Sequence, residues 1–246
     1  MDPQRLLPLV GAYNFRDLGG YPTTDSRRTR WGRLFRSDTL NELTEEDVAT
    51  LRAMGLATVV DLRTPTEVER AGPGPLQRHP IHHLHAPVLT DQGQEDRAAP
   101  QLRDGNAGDR YLWYLEGGSA ALAEAMVLMT EADRYPLVFH CFAGKDRTGV
   151  LAALVLDCIG VERTAIVEDY VLTATRMELI IGRVRRDPLV GDRVDEIPAS
   201  AFAVLATSME RFLEGLDERH GGARQWALDS GLSTDDLDKL QVLLVE

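Results

Sequence analysis

Cys141 stands six positions before Arg147 in the run His140-Cys141-Phe142-Ala143-Gly144-Lys145-Asp146-Arg147-Thr148-Gly149. That spacing builds an anion pocket around a nucleophile. Tyr135 to Phe139 reads as a short apolar strand and Thr148 to Ile159 as an apolar helix, so the run is a strand-to-helix turn. The backbone N–H groups of Phe142, Ala143, Gly144, Lys145, Asp146 and Arg147 then converge near a helix N-terminus. Such a nest binds a dianion, and its field favours a thiolate at Cys141. The planar guanidinium of Arg147 can hold two oxygens of a phosphate at once.

Taken alone, a cysteine at a strand end is a small buried apolar residue. The arginine, two glycines and flanking polar residues in register take it out of that class. A nucleotide-binding loop of the G-x4-G-K-[ST] type fails here, because its first glycine and its hydroxyl fall on Phe139 and Asp146. A rhodanese-type sulfurtransferase also sets a cysteine in an anion-binding loop. Threonine after the sixth-position arginine fits phosphate-ester chemistry better.

Cys-x5-Arg-Thr resembles the signature of the protein tyrosine phosphatase superfamily. The fuller His140 to Gly149 run resembles a bacterial, mycobacterial-type branch of tyrosine, serine and phosphoinositide phosphatases. Asn14 to Gly20, Gly32 to Ser37, Asp61-Leu62-Arg63 with Glu67, and Val167 to Tyr170 follow the order of that branch. The likeness is weakest from Asp91 to Asp109 and beyond Thr175. It implies phosphate-ester hydrolysis through a phosphocysteine, without a metal or other cofactor, on phosphotyrosine proteins or phosphoinositides. His140 would orient the loop, and Thr148 would donate a hydrogen bond to the sulfur. Conventional members take the proton donor from a loop upstream of the cysteine, where Asp109 or Asp91 would serve. The branch implicates the in-loop position, here Asp146, which is the preferred reading. Arg63 either binds substrate or pins the signature loop. Lys145 is expected at the pocket mouth, where its ammonium would hold a second phosphate. Two other classes stay open: a phosphate-binding module that no longer turns over, and a sulfurtransferase.

The chain has 246 residues, a net charge of −12 and only two cysteines. Its length suits one α/β domain spanning residues 1–246. The charge argues against nucleic acid as a partner, so an anionic substrate needs a local cluster such as Arg16, Arg36, Arg63, Lys145 and Arg147. Two cysteines exclude a disulfide scaffold. Cys158, in line with Leu151, Leu154 and Val155, is expected in the core, with a redox partner of Cys141 as the second reading. The histidines at 79, 82, 83 and 85 lack companion ligands at metal spacing, so no metal is expected. No apolar run is long enough to span a membrane, and no leader pattern opens the chain. A cytoplasmic location is expected, with secretion lacking a classical leader as the alternative.

The elements that must position this loop alternate between strand and helix. Asn14 to Tyr21 reads as a loop, and Trp31 to Phe35, Ala57 to Leu62 and Ile81 to Val88 read as strands. A helix follows Thr44 and stops at Gly55. Asp91 to Gly108 is a polar loop, and helices run from Asp109 to Leu115 and from Ser119 to Ala132. Alternation of this kind predicts an α/β fold with a mostly parallel central sheet flanked by helices and a helical C-terminal part from Val161. Ligands bind beyond the carboxyl ends of such strands, which places Asp61 and Arg63 at the same rim as Cys141. Met177 to Arg186 reads as a packed helix, with a cover over the pocket as the alternative.

Overall fold

The computed structural model describes residues 5–90, 106–186 and 191–246. Five strands form one sheet: β1 (Arg16–Asp17), β2 (Leu34–Ser37), β3 (Thr58–Asp61), β4 (His82–His85) and β5 (Leu137–His140). Their spatial order is β1-β2-β5-β3-β4, with β1 antiparallel to β2 and every other pairing parallel. The helices in chain order are α1 (Glu45–Ala53), α2 (Pro65–Ala71), α3 (Ala107–Gly117), α4 (Ser119–Leu128), α5 (Asp146–Cys158) and α6 (Arg163–Leu172). Then come α7 (Met177–Arg186), α8 (Ala199–Phe202), α9 (Ala206–His220), α10 (Ala223–Asp229) and α11 (Thr234–Leu244).

Side chains alternate across the strands and so divide the core in two. Leu34, Val60, Leu137 and Phe139 face a large cluster formed with α3 to α6 and the C-terminal helices. Phe35, Val59 and Val138 face a smaller one with Val48 and Leu51 of α1. Central helix α5 is buried on every side, and of its thirteen residues only Asp157 is partly exposed. That wrapping fixes the direction of α5 and hence of the loop that opens it.

Several boundaries differ from the sequence reading. The expected loop from Asn14 to Tyr21 contains β1, recruited by pairing Arg16 with Arg36 and Asp17 with Phe35. Strand β2 starts at Leu34 because Trp31 and Gly32 form the turn before it, Gly32 with φ of +71°. Helix α3 starts at Ala107, where the Asn106 side chain accepts the Gly108 N–H at 2.8 Å. Helix α4 ends at Leu128. Helix α2 is absent from the sequence reading, although Thr64 before Pro65 with Glu67 at the third position is a capping box, complete in both directions. Thr44 and Ser233 cap α1 and α11 in the same way.

Helix α3 lies tightly against α9. A Cβ added at Gly108 would stand 2.5 Å from the Ser208 carbonyl oxygen and 2.9 Å from the Phe212 nitrogen. Backbone cannot yield as a flexible side chain can. Gly108→Ala is therefore expected to lower unfolding free energy by about 1–3 kcal/mol, read as a lower urea midpoint. An unchanged midpoint would mean that the two helices are free to separate there.

Candidate active site

Strands β2, β3 and β5 end side by side, with Ser37 and Asp61 both in register with His140. Cys141 is the first residue beyond β5, and bends at 142–145 lead into α5. The loop carbonyls are tied outward. Cys141 O accepts from His140 Nδ1 at 3.1 Å, Phe142 O from Thr39 N at 3.0 Å, and Lys145 O from Gly149 N at 2.8 Å. Gly144 O accepts from Arg36 Nη2 at 2.8 Å and Asn14 Nδ2 at 3.2 Å. In a trans peptide the N–H points opposite to the C=O. Tying these oxygens away thus turns the N–H groups of Phe142, Ala143, Lys145 and Asp146 toward the other side, which makes the nest. Gly144 has φ of +65°, and a Cβ there would lie 2.5 Å from Ser37 O, so no other residue fits the turn.

The tethers on Gly144 belong to a buried polar cluster. Asp169 of α6 accepts from Arg16 Nε at 2.9 Å, Arg36 Nη1 at 2.5 Å and the Tyr21 hydroxyl at 2.8 Å. All three charged side chains are about 1% exposed. Burial alone would raise the Asp169 pKa, but the two arginines hold it far below the usual carboxylate range. One carboxylate between two guanidiniums leaves a net positive charge beneath the loop.

Arg147 is buried, and its Nη groups both bond to Glu67 of α2, Nη2 to Oε1 at 2.8 Å and Nη1 to Oε2. Burial works against the charge, and Glu67 more than offsets it, so the guanidinium pKa is raised. Its Nε is buried with no protein partner. The end-on fork is thus occupied by Glu67, and the Nε edge is the side with a donor to give. Glu67 Oε2 also accepts Thr64 N at 2.8 Å, closing the cap of α2.

Asp61 and Arg63 stand at the rim, as the topology rule requires. Arg63 is wholly buried and chelates Asp61 at 2.6–3.1 Å, while also donating to Gly72 O and Thr39 Oγ1. Arg63 thus reaches the loop through Thr39, whose N–H holds Phe142 O. His140 Nε2 lies 3.8 Å from Asp61 Oδ1. Burial pushes the His140 pKa down, with Asp61 offsetting only part. Burial would raise the Asp61 carboxyl, but His140 and Arg63 pull it well below the ordinary value.

Asp146 opens α5 and is mostly buried. Its Oδ1 accepts the Tyr111 hydroxyl at 2.8 Å and lies 3.6 Å from both Arg110 Nη2 and Lys145 Nζ. Asp109 turns outward and pairs with Arg211 at 3.0 Å, one helical position from the residues that face the loop. Asp91 lies outside the described residues. Lys145 departs from expectation: its side chain is 2% exposed, and Nζ donates to Ala201 O at 2.5 Å and Ala203 O at 3.3 Å. The loop enters α5 with Lys145 facing α8, so its ammonium holds that segment rather than an open pocket mouth. The Thr148 hydroxyl is buried without a hydrogen bond, so the expected bond to the sulfur is not formed here. Helix α7 buries Arg183 against Asp38 at 2.7 Å, together with Met177, Ile180 and Val184.

Glu67, Asn14, Arg36 and Asp169 sit inside segments that the sequence reading singled out, yet only contact reveals what they hold. Tyr170 ends the segment from Val167 without a role read for it, and Tyr111 and Arg110 had no motif to mark them. Among the described residues no group of three or more His, Cys, Asp or Glu is placed to hold a metal, and no helix is long and apolar enough to cross a membrane.

Cys158 is buried, and burial first, then Asp157, pushes its pKa up to about 12. A thiol so held stays protonated and inert. Iodoacetate is therefore expected to modify Cys141 and spare Cys158 in the folded protein, with inorganic phosphate protecting Cys141 by filling the nest. Peptide mapping reads the outcome, and preferential labelling of Cys158 would overturn the site.

A profile of the "Tyrosine phosphatase family" matches residues 7–246. The chain is 30% identical to the "Triple specificity protein phosphatase PtpB" of Mycobacterium tuberculosis over 96% of this chain and 98% of that one. It is 37% identical to a "Putative tyrosine-protein phosphatase" of Cupriavidus necator over 64% of this chain and 59% of that one. Among solved structures, P. aeruginosa TpbA in complex with pTyr matches with a TM-score of 0.39 and 19% identity, over 69% of this chain and 78% of that one. With a family match over nearly its whole length and a relative that it spans end to end, the chain is a phosphoric monoester hydrolase and belongs to the tyrosine phosphatase family.

Proposed function

We propose that the protein hydrolyses phosphate monoesters through a phosphocysteine at Cys141, with phosphotyrosine as a good substrate and phosphoserine, phosphothreonine and phosphoinositides as further ones. The observation that carries the mechanism is the outward tethering of the loop carbonyls, which turns several N–H groups toward one dianion beside the sulfur. Cys141 Sγ attacks phosphorus, the S–P bond forms, and the P–O bond to the leaving group breaks. The nest and the Nε edge of Arg147 hold the nonbridging oxygens as charge develops. Asp146 gives its proton to the leaving oxygen. The resulting carboxylate then takes a proton from water, which attacks phosphorus, breaks the S–P bond and releases inorganic phosphate. Asp109, tied outward to Arg211, is the less suitable donor.

Breadth of substrate is supported by the in-loop position of Asp146, which needs no upstream acid loop to close over a large headgroup, and by the triple specificity for which the mycobacterial relative is named. Phosphate release is to be measured on phosphotyrosine and phosphoserine peptides and on inositol lipids with one or several phosphates. All are expected to turn over, phosphotyrosine fastest, and Cys141→Ser is expected to abolish release while still binding phosphate. Activity confined to phosphotyrosine would sink the broader reading. Turnover by the serine variant would sink the phosphocysteine.

The acid assignment has its own test in a leaving-group series. Asp146→Asn is expected to slow esters of basic alcohols by about 10²–10⁴-fold and those of acidic phenols much less. Asp109→Asn should show no such slope. A slope found only in the Asp109 variant would move the role upstream.

A further inference from the structure

Tyr111 of α3 and Tyr170 of α6 are both fully buried, and their hydroxyls meet at 2.6 Å. The Tyr111 hydroxyl also reaches Asp146 Oδ1 at 2.8 Å. A carboxylate oxygen accepts, so Tyr111 donates to Asp146 and Tyr170 in turn donates to Tyr111. The result is a two-phenol chain ending on one oxygen of the proposed acid. The rings are fixed independently of that chain. Tyr111 packs edge-on against Tyr170 and Phe212, and Tyr170 lies over Gly149, where a Cβ would meet its ring at 3.1 Å.

We infer that Tyr111, backed by Tyr170, is a positioning residue for proton transfer: it holds Asp146 Oδ1 so that the transferable proton is carried on Oδ2. The inference rests on Asp146 as the proton donor. Two further groups bear on the same carboxyl, Arg110 from α3 and Lys145 from the loop, each 3.6 Å from Oδ1, while Arg36 and Arg110 act on Tyr170 behind it. Arg110, Lys145 and the Tyr111 hydroxyl each approach Asp146 at Oδ1. Burial, followed by the charge of Asp146, raises the pKa of both phenols, so both stay protonated donors across the working range.

Removing the phenolic donor withdraws support from the carboxylate, so the carboxyl becomes harder to ionise. The acid must be protonated to act, and the basic limb of its pH profile therefore moves upward. Tyr111→Phe keeps the ring and removes only the hydroxyl. The expected result is a basic limb of kcat/KM shifted up by about one pH unit and turnover of alkyl phosphates lowered about tenfold. Acidic phenol esters should lose much less. Tyr170→Phe should shift the limb the same way by less, because the direct donor survives, and it reads the same limb if Tyr111→Phe does not fold.

Equal slowing of every ester with an unmoved limb in Tyr111→Phe, or an unmoved limb in Tyr170→Phe where that variant alone folds, would overturn the inference. Asp146→Asn run beside them separates the two levels. A leaving-group slope in Asp146→Asn with none in Tyr111→Phe defeats the positioning role alone. Absence of the slope in Asp146→Asn defeats the acid assignment beneath it.

Discussion

The Gly144 carbonyl, gripped from below by Arg36 and Asn14, is the contact on which the active site depends. A phosphate nest requires successive peptides to face one way, and loops left to themselves do not hold such an arrangement. Here the required orientation is imposed from the opposite side by buried cations. Arg36 can reach Gly144 because Asp169 anchors it, and Asp169 is in turn shared with Arg16. Breaking a buried ion pair by removing one partner costs about 3–5 kcal/mol, so this cluster resists rearrangement. It joins β1, β2 and α6 beneath one peptide bond.

The same cluster reconciles an acidic protein with an anionic substrate. A net charge of −12 repels phosphate at long range. At short range three site arginines are individually paired: Arg63 with Asp61, Arg147 with Glu67 and Arg183 with Asp38. Against these pairs stands the surplus of Arg16 and Arg36 over Asp169. Low-dielectric surroundings make that surplus count for more than its size suggests. Attraction is thus concentrated under the nest, where it favours a bound dianion over loosely associated ones.

Much of this was legible in the chain. The Cys141 to Arg147 run lies on the expected strand-to-helix turn between β5 and α5, and strand and helix alternation foretold the parallel sheet and the rim where Asp61 and Arg63 stand. The partners of the loop were harder to read, because Asn14, Arg36, Glu67 and Asp169 lie far from it in sequence and have no spacing relative to it. Lys145 was misread for a physical reason: a lysine in a polar loop is ordinarily solvated, and only the packing of α8 shows its ammonium turned inward. Tyr111 and Tyr170 look like ordinary core aromatics, and their hydroxyls acquire meaning from a contact 35 residues away in one case and 59 in the other. Helix α2 is different, since Thr64-Pro65-x-Glu67 is a full start signal.

Helix α2 buries none of its seven residues and so has little packing to hold it together. Its integrity rests on the capping box, and the Glu67 carboxylate that closes that box also grips Arg147. Local helix stability and the readiness of the clamp are therefore one equilibrium seen from two ends. By thermodynamic linkage, an anion that favours the clamped arginine also favours the wound helix, and fraying of the helix weakens the anion site to the same degree. The proposed phosphate pocket would thus carry its own reporter of occupancy in the amide protection of α2.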